Sequence, residues 1–243
     1  MALLPVTEIF SSIQGEGPYV GVRQIFLRLP QCNLTCPYCD TPTESLPSLR
    51  LERMPGSQVF DFVDNPISVE ALFALLQAYD FSGYHSLSVT GGEPLLWAAQ
   101  LADLLPRVKG EGLRVYLETN GTLPEPLSRV LPWVDLISMD IKLPFGGQTF
   151  WAKHEEFLRR SLDKEVFVKI VVHKENTFGD LEKARDLIAR VDPTITTVLQ
   201  PLTEKNGLIA PEPSQVLMWQ AYFLDKLKNV RVIPQTHVFL GVC

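Results

Sequence analysis

Three cysteines lie within one eight-residue segment, at Cys32, Cys36 and Cys39. Thiols this crowded cannot all pair with one another, and in a reducing compartment they favour a metal or an iron–sulfur cluster. Three thiolates can bind three irons of a 4Fe–4S cluster, so the fourth iron stays open to chelate a small molecule through an amino and a carboxylate group. The alternative is a zinc site that takes its fourth ligand from one of the four histidines, because zinc commonly binds three cysteines and a histidine.

A second segment with chemical potential is Thr90-Gly91-Gly92-Glu93-Pro94, which follows a run of strand-forming residues. Paired glycines let the backbone approach a ligand closely, and the Glu93 carboxylate could accept from an ammonium group. A plain strand-to-helix turn is the alternative. Three more polar clusters follow predicted strands; each alone could be a cap or a turn, but together they could surround one ligand. They are Glu118-Thr119-Asn120-Gly121, Asp140-Ile141-Lys142 and Gln200-Pro201-Leu202.

Short β-branched runs alternate with longer helix-like segments along the chain, which indicates an α/β fold with a parallel sheet and right-handed crossovers. We expect a partial (β/α) barrel of about six parallel strands, because the runs are too few for an eight-stranded barrel. In such a sheet, ligands bind at the carboxyl ends of the strands, where the polar clusters lie. Strands are predicted at residues 25–29, 86–90, 115–118, 136–140, 166–172, 197–199 and 230–233, and helices at 69–79, 98–108, 150–160, 179–190 and 214–228.

The length of 243 residues suits a single domain, 1–243. Residues 42–66 are rich in Pro and Ser and carry mixed charge, so we expect an irregular insertion there after the cysteine segment. The formal charge of −6 and the pI of about 5.3 disfavour broad binding to nucleic acid. No apolar run reaches the length of a membrane span and no signal peptide is evident, so the expected location is the cytoplasm.

The cysteine spacing C-x₃-C-x-aromatic-C, in which Tyr38 is the aromatic residue, resembles the signature of the radical S-adenosylmethionine (SAM) superfamily. The Gly-Gly-Glu-Pro segment resembles a second motif of that superfamily. The resemblance implies a 4Fe–4S cluster on the three cysteines and SAM on the open iron. It also implies a set of SAM-binding residues, which are Tyr38, Gly91, Gly92, Glu93, Asn120, Asp140, Lys142 and Gln200.

Three longer segments resemble the 7-carboxy-7-deazaguanine synthase family: S-I-Q-G-E-G at 12–17, C-D-T at 39–41 and P-Q-T-H at 234–237. The resemblance implies a radical conversion of 6-carboxy-5,6,7,8-tetrahydropterin to 7-carboxy-7-deazaguanine, with ring contraction, loss of ammonia and regeneration of SAM, in queuosine and 7-deazapurine biosynthesis. It further implies Mg²⁺ on Thr41, an electron donor such as flavodoxin or ferredoxin, and a homodimer. The implied substrate-binding residues are Ile13, Gln14, Gly15, Glu16, Arg28, Thr90, Gln235, His237 and Cys243.

Two features depart from the pattern of that family. In some members the carboxylate of a terminal proline reaches the substrate, whereas Cys243 stands at this position here. The segment Asp140-Ile141-Lys142 stands where some members have Ser-Pro-Lys. Two other functions remain open: a different radical SAM enzyme, such as a glycyl-radical activase, and a non-catalytic zinc-binding module.

Overall fold

The computed structural model describes residues 2–39, 41–145, 147–204 and 207–242. Its strands form where β-branched and other apolar residues recur, and its helices form between them. The strands are β1 Leu3–Leu4, β2 Glu8–Ile13, β3 Arg23–Leu29, β4 Ser48–Glu52, β5 Phe60–Asp64, β6 Ile67–Ser68, β7 Ser86–Gly91, β8 Val115–Thr119, β9 Leu136–Asp140, β10 Glu165–Val172, β11 Thr196–Pro201 and β12 Val230–Val232. The helices are α1 Val69–Leu76, α2 Ala98–Gly110, α3 Pro124–Val130, α4 Trp151–Arg160, α5 Phe178–Val191, α6 Pro213–Leu224 and α7 Thr236–Leu240.

Within the described residues, ten strands form one sheet in the order β12-β11-β10-β9-β8-β7-β3-β2-β4-β5. The run from β3 through β7 to β12 is parallel throughout, and its seven strands are the seven predicted from the sequence. The edge strands β12 and β5 do not pair with each other in this part of the chain. The prediction of an α/β fold with a partial barrel of parallel strands is therefore confirmed, with seven strands in the parallel run.

The prediction of an irregular insertion at 42–66 is wrong for ten of those residues, which form β4 and β5. These two strands make an antiparallel hairpin, and β4 pairs parallel to β2. The sequence carried a signal for β4, because Leu49 and Leu51 alternate with Arg50 and Glu52 as in a half-buried strand. The hairpin extends the sheet and brings Arg50 beside Glu8.

The helices pack their apolar faces on the sheet. In α2 the buried residues Leu101, Leu104, Leu105 and Val108 follow helical spacing, and each fully buried leucine contributes about 1.5–3 kcal/mol of transfer free energy. Ser68 caps α1 by accepting from the Ala71 amide at 3.2 Å. The short helices α3 and α7 were not predicted. Among the described residues, none of the helices has the length and apolar character needed to cross a membrane.

Candidate active site

A cavity of about 1140 Å³ opens at the carboxyl ends of the parallel strands, which is the edge predicted to bind ligands. It brings together residues from both ends of the sequence and from most strands of the sheet. Ile13 and Glu93 are not among its lining residues, and Cys243 lies outside the described residues. The predicted site residues that do line it are Gln14, Gly15, Glu16, Arg28, Cys32, Cys36, Tyr38, Cys39, Thr41, Thr90, Gly91, Gly92, Asn120, Asp140, Lys142, Gln200, Gln235 and His237.

The cysteine loop leaves β3 at Gln31, whose backbone adopts a left-handed conformation with φ of 65°, and it turns back where the Cys39 amide donates to the Cys36 carbonyl at 3.1 Å. The Cys32 sulfur accepts from the Leu34 amide at 3.4 Å and from Asn120 Nδ2 at 3.7 Å. Amide donors aimed at a sulfur suit an iron–sulfur thiolate. The three cysteines thus face one cavity and fit a cluster.

A zinc site is not built in the part of the chain that the structure describes, where no three His, Cys, Asp or Glu side chains converge to hold one metal ion. A 4Fe–4S cluster makes a different demand, since each thiolate binds a different iron. Burial raises the pKa of the Cys32 and Cys36 thiols, so these groups stay protonated until a metal displaces the protons.

The two glycines at the end of β7, Gly91 and Gly92, are required because the backbone of residues 29–31 passes too close for a side chain. A Cβ on Gly92 would lie 1.9 Å from the Gln31 carbonyl oxygen, and one on Gly91 would lie 2.0 Å from the Leu29 carbonyl oxygen. The close approach lets the Gly92 amide donate to Leu29 at 3.0 Å and the Glu93 amide donate to Gln31 at 2.8 Å. The glycines therefore seat the root of the cysteine loop on β7, in addition to presenting backbone to the cavity.

Glu93 is wholly buried behind the cavity wall. Its carboxylate accepts from Thr119 Oγ1 at 2.9 Å, from the Asn120 amide at 2.8 Å and from the Leu95 amide at 3.0 Å. Burial raises the pKa of this carboxyl to about 7, against the lowering effect of those donors. The expectation that the Glu93 carboxylate accepts from a ligand ammonium group does not match this position; the side chain instead orients Asn120.

The buried His154 is a supporting residue that the sequence did not single out. Its Nε2 lies 3.1 Å from the Asn120 carbonyl oxygen and 3.5 Å from the Lys142 amide nitrogen. Burial lowers the pKa of His154 to about 4, so the imidazole is neutral near pH 7. A neutral imidazole Nε2 either donates to the Asn120 carbonyl or accepts from the Lys142 amide, and the shorter distance favours the bond to Asn120. His154 thereby holds the backbone at one predicted SAM-binding position.

Alternating charges cross the floor of the cavity. Lys142 Nζ lies 2.6 Å from Asp140 Oδ2, Lys169 Nζ lies 3.3 Å from Asp140 Oδ1, and Lys169 also forms an ion pair with Glu16. Burial would raise the pKa of Glu16, but Lys169 and the Gln235 amide bring it down to about 2. Lys169 was not predicted as a site residue, although a lysine within the otherwise apolar strand β10 could have indicated a functional role.

Glu118 joins the predicted substrate residues into one polar group. It accepts from Gln14 Nε2 at 2.8 Å, from Ser88 Oγ at 2.9 Å and from Thr90 Oγ1 at 2.9 Å. Gln14 Nε2 also donates to Gln24 at 3.1 Å, so both of its protons are used within the protein. Gln14 can therefore only accept a hydrogen bond from a ligand. Thr90 and Glu118 contribute oxygen atoms to the same part of the cavity.

Arg28 lies on β3 beside Thr90 of β7, and its Nε donates to Glu8 Oε1 at 2.7 Å. Its guanidinium carbon lies 5.7 Å from the centroid of the Phe10 ring, which stacks on Phe26 at 5.0 Å. No other guanidinium nitrogen of Arg28 has a hydrogen-bond partner among the described residues. The terminal nitrogens can thus form the planar fork that binds a carboxylate.

Gln235 and the first residues of α7 close the cavity against the loop that follows β2. The Thr236 amide and hydroxyl both donate to the Gly15 carbonyl at 2.9 Å, and Gln235 Nε2 donates to Glu16 at 2.9 Å. A Cβ on Gly15 would lie 2.3 Å from Nδ1 of His237. Glycine is needed at this position because His237 packs directly on its backbone.

Comparison with known proteins agrees with this geometry. The model of the radical SAM superfamily matches residues 27–188, so the fold and the cysteine loop are those of a radical SAM enzyme. The 7-carboxy-7-deazaguanine synthase of Geobacter sulfurreducens is 42% identical over 241 residues, with 96% of both chains covered. That of Methanothermobacter thermautotrophicus is 41% identical, with 98% of this chain and 97% of the relative covered.

The chain belongs to the 7-carboxy-7-deazaguanine synthase family. The crystal structure of QueE from Escherichia coli has the same fold, with a TM-score of 0.66, 24% identity and coverage of 97% of this chain and 95% of that one. The cofactors predicted from the sequence, a 4Fe–4S cluster, SAM and Mg²⁺, are those of the family. The zinc-module and glycyl-radical-activase alternatives are not supported.

Proposed function

We propose that this protein converts 6-carboxy-5,6,7,8-tetrahydropterin to 7-carboxy-7-deazaguanine with loss of ammonia, as a step of queuosine and 7-deazapurine biosynthesis. The observation that carries the proposal is one cavity that is lined both by the three cysteines and by the polar side chains of Arg28, Thr90 and Glu118. The names of relatives that match over nearly the whole chain support it.

In this proposal Cys32, Cys36 and Cys39 hold the 4Fe–4S cluster. The cluster and SAM, when bound, supply the radical chemistry that starts the reaction. Tyr38 would contact the adenine of SAM. Lys142 Nζ lies 5.7 Å from the centroid of the Tyr38 ring. The remaining SAM-binding residues are the backbone of Gly91 and Gly92, with Asn120, Asp140, Lys142 and Gln200, and Glu93 acts behind them.

The substrate is oriented by residues from different strands and loops that line the cavity. Arg28 binds the carboxylate, and Gln14, Thr90 and the Gly15 backbone hold the amide-like edge of the pterin. Glu16, ionised at neutral pH because of Lys169, accepts from the amino groups of the ring. Thr41 supplies an oxygen for Mg²⁺, which commonly takes few protein ligands and keeps waters. Gln235 and His237 exclude solvent at the mouth of the cavity. Ile13 and Cys243 are also proposed to bind the substrate, although neither is among the described residues that line the cavity.

The test is an anaerobic assay of the reconstituted protein with SAM, a chemical reductant, Mg²⁺ and 6-carboxytetrahydropterin, with products read by mass spectrometry. We expect 7-carboxy-7-deazaguanine to appear without matching consumption of SAM. Accumulation of 5′-deoxyadenosine with the pterin untouched would keep the radical SAM class and overturn the substrate. Protein without reconstituted cluster is the control.

We further propose a single domain spanning 1–243, a cytoplasmic location, a homodimer, and a flavodoxin or ferredoxin as electron donor. The dimer is supported by α6, where Leu217, Met218 and Leu224 are 63%, 47% and 48% exposed. Apolar side chains on the solvent face of a helix favour burial against another surface. Light scattering after size exclusion tests this, since a mass of about one chain of 27.3 kDa would contradict the dimer.

A further inference from the structure

The hairpin of β4 and β5 adds a second guanidinium to the wall that holds Arg28. Register places Arg50 of β4 beside Glu8 of β2, Glu8 beside Arg28 of β3, and Arg28 beside Thr90 of β7. Four neighbouring strands thus carry a row of side chains at one level of the sheet, and all four line the cavity. Glu8 lies at the centre of the charged part of this row.

Arg28 and Arg50 both form ion pairs with the Glu8 carboxylate. Arg28 Nε lies 2.7 Å from Glu8 Oε1 and Arg50 Nη1 lies 3.2 Å from Glu8 Oε2. The Glu8 and Arg28 side chains are 13% and 20% exposed, so this pair is largely removed from solvent. A lone Arg28–Glu8 pair would have no net charge, and it would attract a substrate carboxylate weakly. With Arg50 the three groups carry a net charge of +1.

The hairpin holds Arg50 in place from its outer side. The Arg50 guanidinium carbon lies 4.0 Å from the centroid of the Phe60 ring on β5, within the range of a cation–π contact. Only one guanidinium nitrogen of Arg50 is hydrogen-bonded in the part of the chain described by the structure. The others remain able to interact with an anion in the cavity.

We propose that Arg50 is a specificity-determining residue for the substrate carboxylate, because it supplies the net positive charge that the Arg28–Glu8 pair lacks. The inference rests on the proposed function and adds the hairpin to the substrate site. The alternative is that Arg50 only ties the hairpin to β2 through an ordinary partly exposed ion pair, which would contribute little. The two interpretations predict different effects of Arg50 substitutions on the affinity for ligands with and without a carboxylate.

The experiment measures equilibrium binding to the cluster- and SAM-loaded protein, without reductant so that no turnover occurs. Calorimetric titrations compare 6-carboxytetrahydropterin with tetrahydropterin that lacks the 6-carboxyl group. The variants are R50M, which removes the charge, and R50K, which keeps it without the planar fork. The matched control is R53M, since Arg53 also lies in the hairpin but pairs with Asp61 at an exposed position.

We expect R50M to weaken binding of the carboxylated pterin roughly tenfold and to change binding of the other pterin less than about twofold. R50K should recover part of the loss, R53M should behave as the parent protein, and the R50M effect should shrink at high salt. Equal weakening for both pterins, or no weakening, would overturn the proposal. Equal affinity of the parent protein for both pterins would also overturn it while leaving the proposed function intact, whereas failure of the parent to bind either would remove the proposed function itself.

Discussion

Lys169 of β10 forms an ion pair with Glu16, a residue 153 positions earlier in the chain, and the same ammonium lies 3.3 Å from Asp140. One buried cation therefore serves a carboxylate on the proposed substrate side and another on the proposed SAM side. Burial alone would lower the pKa of Lys169, but Asp140 and Glu16 raise it well above its usual value. The lysine stays charged at any pH at which the enzyme would work.

Replacing Lys169 by methionine should destabilise the protein by about 3–5 kcal/mol, because Glu16 is left as a buried charge without a counter-ion. Urea unfolding of the cluster-free protein measures the change. The double variant K169M/E16Q should cost less than K169M alone, since it removes the stranded charge. K226M is the control, because Lys226 pairs with Asp186 at the surface and should change stability by less than about 1 kcal/mol. Equal effects of K169M and K226M would contradict the role of Lys169.

Replacing Cys36 by alanine should abolish cluster binding and SAM cleavage while leaving the fold intact, because the side chain lies on an external loop rather than in the core. Iron and sulfide analysis after anaerobic reconstitution measures the loss, and circular dichroism checks the fold. Thr35→Ala, next to it and exposed, should retain the full cluster. A C36A protein with parent-level iron would disprove the ligand assignment.

Replacing Arg28 by alanine should leave the cluster in place and raise the KM for the pterin by roughly tenfold to a hundredfold, since a charge-assisted carboxylate fork is lost. The measurement is steady-state kinetics together with iron content. Arg53→Ala, on the exposed part of the hairpin, should change neither quantity. An unchanged KM in R28A would place the substrate carboxylate elsewhere.

Replacing Gly92 by alanine should prevent the cysteine loop from seating on β7, because the added Cβ would meet the Gln31 carbonyl oxygen at 1.9 Å. We expect a loss of more than about 3 kcal/mol in unfolding free energy, beyond the usual range for one substitution, and reduced iron content. Gly110→Ala, at an exposed position of α2 with nothing within 4 Å, should be neutral or stabilising by up to about 1 kcal/mol. Parallel behaviour of the two variants would contradict the steric argument.

The buried His154 should make the protein sensitive to mild acid. Unfolded, this histidine takes up a proton near its ordinary pKa of 6.5, whereas in the fold its pKa is about 4. The unfolded state therefore binds more protons between these values, and stability falls as the pH drops through that window. From pH 7.5 to 5 the loss is about 2 kcal/mol.

Urea unfolding of the parent protein and of H154F at pH 7.5 and 5 tests the effect. H154F should be less stable at pH 7.5 by about 1–3 kcal/mol, because the Asn120 carbonyl loses its partner, and the difference should narrow or reverse at pH 5. Other titrating groups, including Glu93 and Glu16, are present in both proteins and cancel in the comparison. A difference that does not change with pH would show that His154 does not titrate in this window.

The sequence predicted the parallel strands because their apolar runs are continuous, as expected where both faces of a sheet are covered. It predicted most of the site because polar residues interrupt the pattern just past those strands. The hairpin β4–β5 was missed since a Pro- and Ser-rich context obscured two short alternating runs. Lys169 was missed because it lies within a strand, where only the register reveals which carboxylates face it. Glu118 was named in a polar cluster, but its hydrogen bonds to Gln14 and Thr90 were not predicted because they also depend on register.

The contacts that close the cavity join residues 219 and 221 positions apart, from Gln235 to Glu16 and from Thr236 to Gly15. Bringing such distant residues together carries a loop-closure entropy that only the intervening sheet can offset. Folding rates fall as the sequence separation of contacts grows, so we expect these bonds to form after β3 to β12 have assembled. In that order the cavity would be among the last parts of the molecule to form, and a chain stalled before that step would be compact but unable to enclose a ligand.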